Sequence, residues 1–281
     1  MAEQISLFEN LTPTKEKEIK FKTIEVPVWT ESKAKLIQRY LYLFVMITRH
    51  GTYIDGFAGP QNEIESDSWS AKLVLESKPQ WMRNFYLFDA KPSQYECLIR
   101  LKDQQEDPKR NIEVKCGDFN QLIHDILKGR PIRESEATFC LLDQRAFECD
   151  WSSVEAVANY KKEGRKIEIF YFLPTGWLDR SISGLANKDE TLKSWYGNEN
   201  WEEMIGIKNW ARAKLFCRRF KEEFGYKYAH PWPIYEREGG MGKIMYFMIH
   251  ATDHEEAPKL MRRAYGNIVR KTRNEEQLKL F

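Results

Sequence analysis

Five short apolar segments, each separated from the next by a helical pattern, constrain this chain more than any other feature. They are Thr52-Tyr53-Ile54, Phe85-Tyr86-Leu87-Phe88, Ile112 to Cys116, Thr138 to Leu142 and Ile167 to Leu173. Their β-branched and aromatic residues suit strands. The fifth is an almost unbroken apolar run, as expected of a central parallel strand covered on both faces. A helix over 31–49 precedes them, with Thr30 as its expected cap and Leu36, Ile37, Tyr40, Leu41, Phe44 and Ile47 at helical spacing. Further helices are expected near 69–78 (capped from Ser66-Asp67-Ser68), 92–105 (stopped by Asp107-Pro108), 119–128 and 151–162. Strand alternating with helix implies right-handed βαβ units and a doubly wound α/β sheet.

Residues 175–225 break the rhythm. They read as largely helical, with Trp177, Trp195, Trp201 and Trp210 set among charges. Residues 228–250 then read as a hairpin turning at Gly239-Gly240-Met241-Gly242, followed by a helix near 254–272. The expectation is a mostly parallel, seven-stranded sheet ending in an antiparallel hairpin, with a helical insertion at about 175–225. Residues 1–20 read as a flexible arm, 21–272 as the folded domain and 273–281 as a tail.

Composition narrows the function classes. Among 281 residues the net charge is only +2, so no global basic field argues for nucleic acid. The five cysteines, Cys97, Cys116, Cys140, Cys149 and Cys217, form no C-x-x-C pair, which disfavours a zinc ribbon and suggests reduced thiols. The five histidines show no metal spacing, and no metal is expected. The first 20 residues lack the apolar core of a signal peptide, and no stretch approaches the roughly 20 apolar residues of a bilayer span. A cytoplasmic protein with no membrane association is expected.

Four strands run into an aspartate, at once or one position later: Asp55, Asp89, Asp118 and Asp143. A lone strand-ending Asp usually serves a turn or a helix cap. In open α/β sheets, however, ligands sit beyond the carboxyl ends of the strands, so four such residues point to a shared rim. The first belongs to Asp55-Gly56-Phe57-Ala58-Gly59-Pro60, whose glycines let the backbone turn sharply beside a ligand. The loop is neither a G-x-G-x-x-G fingerprint nor a phosphate loop, which disfavours nucleoside triphosphates. A sheet of this plan with this loop resembles that of an S-adenosyl-L-methionine-dependent methyltransferase, and binding of that cofactor is the expectation. In that reading Asp55 faces the cationic methionyl end and Asp89 accepts from two ribose hydroxyls. Asp118 accepts from the adenine amino group, and Phe119 packs on the adenine. Gly56, Phe57, Ala58 and Gly59 form the bend.

Trp29-Thr30-Glu31-Ser32-Lys33, Tyr53 to Pro60, Phe139 to Asp143, Trp151, Ile167 to Arg180, and Tyr246 to Thr252 resemble the three-Cys-motif partner protein family. The similarity spans about residues 22–270, and Tyr53–Pro60 is its most specific part. It implies a class I methyltransferase-like fold and association with a three-cysteine companion resembling a radical S-adenosylmethionine protein. Two positions depart from the pattern. Gln61 stands where another glycine is usual, and Asp143-Gln144-Arg145-Ala146-Phe147 replaces a proline-stiffened Asp-Pro-Phe-Gly-like loop. At that loop Asp143 can accept a hydrogen bond from a target amine, Arg145 can bind phosphate or carboxylate, and Phe147 can stack on a base. The expected activity is methyl transfer to nucleic acid or a nucleotide-like acceptor. The alternative is a catalytically degenerate adaptor that serves the companion, DNA or the sliding clamp.

The two ends carry one pattern, Gln4-Ile5-Ser6-Leu7-Phe8 and Gln277-Leu278-Lys279-Leu280-Phe281, which resembles the peptide that docks bacterial proteins on the replicative sliding clamp. Arg218-Arg219 with Lys221, and Arg262-Arg263 with Arg270, Lys271 and Arg273, read either as solvated helix faces or as a phosphate-tracking groove for DNA or RNA. Tyr226, Tyr228, Trp232 and Tyr235 could stack bases beside it, or simply pack the hairpin.

Overall fold

The structure, a computed structural model, describes residues 28–60, 68–176, 178–185, 187–237 and 241–266. In chain order these form α1 (Val28–Thr48), β1 (Gly51–Asp55), α2 (Ser70–Glu76), β2 (Met82–Asp89), α3 (Pro92–Asp103), β3 (Asn111–Cys116), α4 (Phe119–Lys128), β4 (Thr138–Leu142), α5 (Trp151–Ala158) and β5 (Glu168–Pro174). After β5 come α6 (Leu178–Gly184), α7 (Lys188–Tyr196), a 3-10 helix (Glu199–Met204), α8 (Asn209–Glu222), β6 (Tyr228–Arg237), β7 (Met241–Thr252) and a helix over 257–266, α9.

The seven strands lie in the order β3-β2-β1-β4-β5-β7-β6. The first five are mutually parallel, and β7 runs antiparallel to both β5 and β6. A parallel sheet closed on one edge by a reversed pair, with helices on both faces, is a methyltransferase-like α/β fold.

Side chains alternate across each strand, so each strand feeds two cores. On β4, Phe139 and Leu141 enter one core while Cys140 and Leu142 enter the other. On β5, Phe170 and Phe172 face the first, and Ile169, Tyr171 and Leu173 the second. The first core is roofed by α1, α2, α3 and α9, the second by α4, α5, α7 and α8. Helix α1 buries Lys33, Ile37, Tyr40, Leu41 and Phe44 in one stripe against the sheet.

Several boundaries differ from the sequence expectation, each for a local reason. Helix α1 already starts at Val28, which puts Thr30 inside its first turn rather than at its cap. Helix α2 begins after Trp69 with no side-chain cap; of its expected caps, Ser66 and Asp67 lie outside the described residues. Helix α3 ends at Asp103, short of Asp107-Pro108. Asp107 instead holds a turn, accepting from the Lys109 amide at 2.9 Å and from Arg83 at 3.0 Å. Helix α5 stops at Ala158. The expected arm at 1–20, the tail at 273–281 and both clamp-like peptides lie outside the described residues. No helix among the described residues is long and apolar enough to cross a membrane.

Candidate functional site

Register decides which carboxylates meet. Asp55 at the end of β1 lies opposite Leu87 on β2 and Leu141 on β4. Asp89 and Asp143 each stand two residues beyond those partners, so strand alternation turns all three toward the α1 face. They come from three adjacent strands at the carboxyl edge of the sheet, the edge where open α/β folds bind ligands.

Each carboxylate is held differently. Asp55 is fully buried and accepts from the Tyr53 hydroxyl at 2.8 Å and the Phe57 amide at 3.2 Å. Burial pushes its carboxyl up to about 7; those two hydrogen bonds work against the rise, and the charges of Asp143 and Asp89 add to it. Burial, and the charge of Asp55, also push the Tyr53 hydroxyl well above its ordinary value. Asp89 is half-buried and accepts from the Gly59 amide at 3.0 Å and the Lys91 amide at 2.9 Å. Asp143 pairs with Lys33 of α1, whose Nζ lies 2.6 Å from one carboxylate oxygen and 2.8 Å from the other.

Lys33 closes the Trp29–Lys33 motif, which by itself gave it no role at the site. Its side chain is 3% exposed. Its ammonium sits 4.3 Å above the Phe172 ring centroid and 5.7 Å from that of Tyr246. A signal for it existed: Lys33 is a lone cation in the otherwise apolar stripe of α1, and a lysine is rarely buried without a partner.

The bend itself is pinned from both sides. The Gly56 amide donates to the Leu141 carbonyl at 3.0 Å, and the Ala58 amide to the Phe88 carbonyl at 2.8 Å. Trp69 Nε1 donates to the Ala58 carbonyl at 2.6 Å. A Cβ on Gly59 would run into Gln94 of α3 at 2.5 Å and 2.6 Å, so glycine is needed for the loop to pass beneath that helix. Gln94 Oε1 is buried and has no hydrogen-bond partner. It is a second feature that the motifs did not reveal.

The remaining predicted residues spread along the rim. Asp118 is exposed and caps α4, accepting from the Asn120 amide at 3.0 Å. Phe119 is buried, with its ring centroid 5.8 Å from Phe57 and 5.3 Å from Phe88. Arg145 is exposed, and its amide donates to Glu148 at 2.7 Å. Phe147 is partly exposed and meets Trp195 edge-on at 5.0 Å.

Gln144 supplies stiffness where the loop lacks prolines. It is buried, donates through Nε2 to the Phe172 carbonyl at 3.2 Å, and accepts at Oε1 from the Cys149 amide at 3.1 Å and Trp195 Nε1 at 3.0 Å. Asn120 ties the same loop to α4, donating to the Glu148 carbonyl and accepting from the Asp150 amide, both at 2.8 Å.

The basic cluster on α8 divides. Arg218 is exposed, whereas Arg219 is 4% exposed, lies 4.1 Å and 4.0 Å over Trp151 and Tyr196, and is bonded to Glu223. Arg219 is therefore a packing residue, which corrects both readings of it, as part of a solvated helix face and as part of a phosphate-tracking groove. Tyr226 is likewise buried, its hydroxyl donating to the Ile167 carbonyl at 2.6 Å, and cannot stack a base. Arg270, Lys271 and Arg273 lie outside the described residues. On the outer face of α8, Glu203, Ile207, Ala211, Lys214, Leu215 and Arg218 line a groove of about 410 Å³. Ile205 and Trp210 are exposed on the same stretch of chain.

No protein-family model matches the chain. No curated protein matches it either. Among solved structures it is similar to the DszA carbon methyltransferase, with a TM-score of 0.47 and 11% identity over 79% of this chain and 54% of that one. The chain thus spans about half the length of that structure. It is also similar to a Legionella pneumophila protein of family DUF519, with a TM-score of 0.49 and 10% identity over 85% of this chain and 90% of that one.

Proposed function

We propose that the chain binds S-adenosyl-L-methionine at the carboxyl rim and acts as a methyltransferase on an amine of a nucleic-acid or nucleotide-like acceptor. The observation that carries this reading is the convergence of Asp55, Asp89 and Asp143 on one face beside a backbone bend, with an unpartnered acceptor, Gln94 Oε1, buried at the same place.

The residues fit the cofactor's chemistry. Ribose hydroxyls are donors, and the Gly59 end of the rim offers acceptors. Asp89 keeps lone pairs beyond the two amides it holds, and Gln94 Oε1 has all of its capacity free. Asp118 would receive the adenine amino group, and the loop from Gly56 to Gly59 would pass under the sugar. Asp55, once ionised above about pH 7, would present negative charge to a cationic sulfonium. When bound, the cofactor supplies an electrophilic methyl group on a good leaving group, so the protein's task is mainly placement. Asp143 would orient the acceptor amine, while Arg145 and Phe147 would take its phosphate and base.

A second reading, an adaptor for a three-cysteine companion, is supported by the sequence resemblance and by the exposed Trp210 and Ile205 beside the α8 groove. The terminal peptides would add a sliding-clamp contact.

Titration calorimetry with S-adenosylhomocysteine separates the two. The wild-type protein is expected to bind it, and Asp89→Ala to weaken binding by about tenfold or more, ~1.4 kcal/mol, through loss of a charge-assisted acceptor. No heat with the wild-type protein would favour the adaptor.

A further inference from the structure

We propose that the α8 groove is the contact face of a symmetric dimer, in which a second copy of this chain lays its own α8 antiparallel across the first. None of the residues involved belongs to the carboxyl rim.

The face is built on helical spacing. Ala211, Lys214, Leu215 and Arg218 stand at i, i+3, i+4 and i+7 of α8, so they form one stripe, and Ile207 extends it in the turn before the helix. The groove they line has a volume of about 410 Å³. Ala211, midway between Ile207 and Leu215, is exposed and small enough for another backbone to come close. Trp210 and Ile205 stand beside it at 45% and 41% exposure, two of the four large apolar side chains exposed among the described residues. Trp210 is held in place, its ring meeting Phe247 of β7 edge-on at 4.7 Å. A fixed, exposed indole next to an apolar groove is the knob and hole that protein interfaces favour.

Charge decides what covers this face. It is acidic at one end and basic at the other. Glu202 and Glu203 are exposed on the 3-10 helix before α8, and Lys214 and Arg218 are exposed further along the stripe. Glu203 accepts from the Tyr196 hydroxyl, but neither Glu203 nor Lys214 has an ion-pair partner among the described residues. Arg218 meets Glu222 only at 3.8 Å, between exposed side chains. A second helix laid parallel would set like charges together. Laid antiparallel, with the two-fold axis at Ala211, it sets Ile207 against the partner's Leu215 and brings Glu203 to the partner's Arg218, twice by symmetry. Lys214 covers the apolar centre with its stem and keeps its ammonium in water. The face is thus complementary to itself, a property that contact with an unrelated protein does not require.

Sedimentation equilibrium on the full chain tests this. The wild-type protein is expected to dimerise as its concentration rises. Ala211→Arg sets two guanidinium groups against each other at the axis and is expected to raise the dimer dissociation constant at least about tenfold. Glu203→Arg and Arg218→Glu are each expected to do the same, because each places like charges opposite. Mixing those two single variants is expected to restore the dimer, since only the mixed pair has opposite charges at both ends. Misfolded chains would not give that rescue. A wild-type protein that stays monomeric throughout would overturn the proposal and leave the groove to a different protein, as the adaptor reading has it. Dimers that survive Ala211→Arg would overturn it by placing the contact on another face. Two monomeric single variants that fail to associate when mixed would overturn it as well.

Discussion

Asp55 shows how one residue type takes a role from its surroundings. The four strand-ending aspartates are alike in sequence, yet Asp118 is an exposed helix cap, Asp89 a half-buried holder of two amides, Asp143 half of an ion pair, and Asp55 a carboxyl enclosed in the core. The ionisation of Asp55 is moved from 3.8 up to about 7, chiefly by burial. The sign follows from linkage. Between about pH 4 and pH 7 the unfolded chain has lost this proton and the folded chain keeps it, so the group's contribution to stability falls as pH rises through that window. Asp55→Asn removes the dependence. The stability of the variant relative to wild type is therefore expected to improve from pH 4 to pH 7, by on the order of a few kcal/mol, in denaturant titrations across that range. A constant difference between the two proteins would show that Asp55 titrates normally. The site aspartates were legible because they end apolar runs. Lys33 was harder to see because its signal, one cation in an apolar stripe, becomes informative only once Asp143 is known to lie opposite.

At the level of elements, the loop from Asp143 to Asp150 makes the clearest case. A proline-poor sequence suggests a slack loop, but three hydrogen bonds to the Gln144 side chain fix it to β5, to its own far end and to α7. Gln144→Leu keeps the bulk and removes all three. It leaves the Cys149 amide and the Trp195 indole N–H without an acceptor in the core, and each such orphan costs about 1–3 kcal/mol. Chemical denaturation is expected to show a loss of about 2–5 kcal/mol, and hydrogen exchange a faster amide at Cys149. A loss below about 1 kcal/mol would mean that the loop is held by other contacts. Helix α1 is anchored in a similar way at the amino edge of the sheet, where Glu168 accepts from Tyr40 and from Thr252 at 3.1 Å and lies 2.8 Å from His250. Element type could be read from periodicity. Helix ends could not, because ends are set by whichever side chain or backbone group happens to satisfy the last amides and carbonyls.

Across the whole molecule, the helices that follow β5 share a core with the sheet. Trp151 of α5 meets Tyr171 of β5 and Phe216, Phe220 and Phe224 at ring distances of 5.0–6.0 Å, and its indole donates to Glu223 at 2.7 Å. Gly197, at φ +91, lets α7 close onto the same ring where a Cβ would come within 2.7 Å. Unfolding is thus expected to be one transition: far-UV circular dichroism and tryptophan fluorescence should coincide in urea. Trp151→Ala should shift both together by about 3–5 kcal/mol. Separate midpoints would mean that residues 175–225 unfold on their own. The sequence by itself determined the strand-helix alternation, the closing hairpin and the aspartates at the strand ends, because each is written in local periodicity and turn residues. Only the tertiary structure decided which of those aspartates meet, that Lys33 neutralises one of them, that Gln144 replaces the missing prolines and that Arg219 is buried. Those outcomes depend on strand register and on helices packing across the sheet, which join residues far apart in the chain and leave no periodic trace in it.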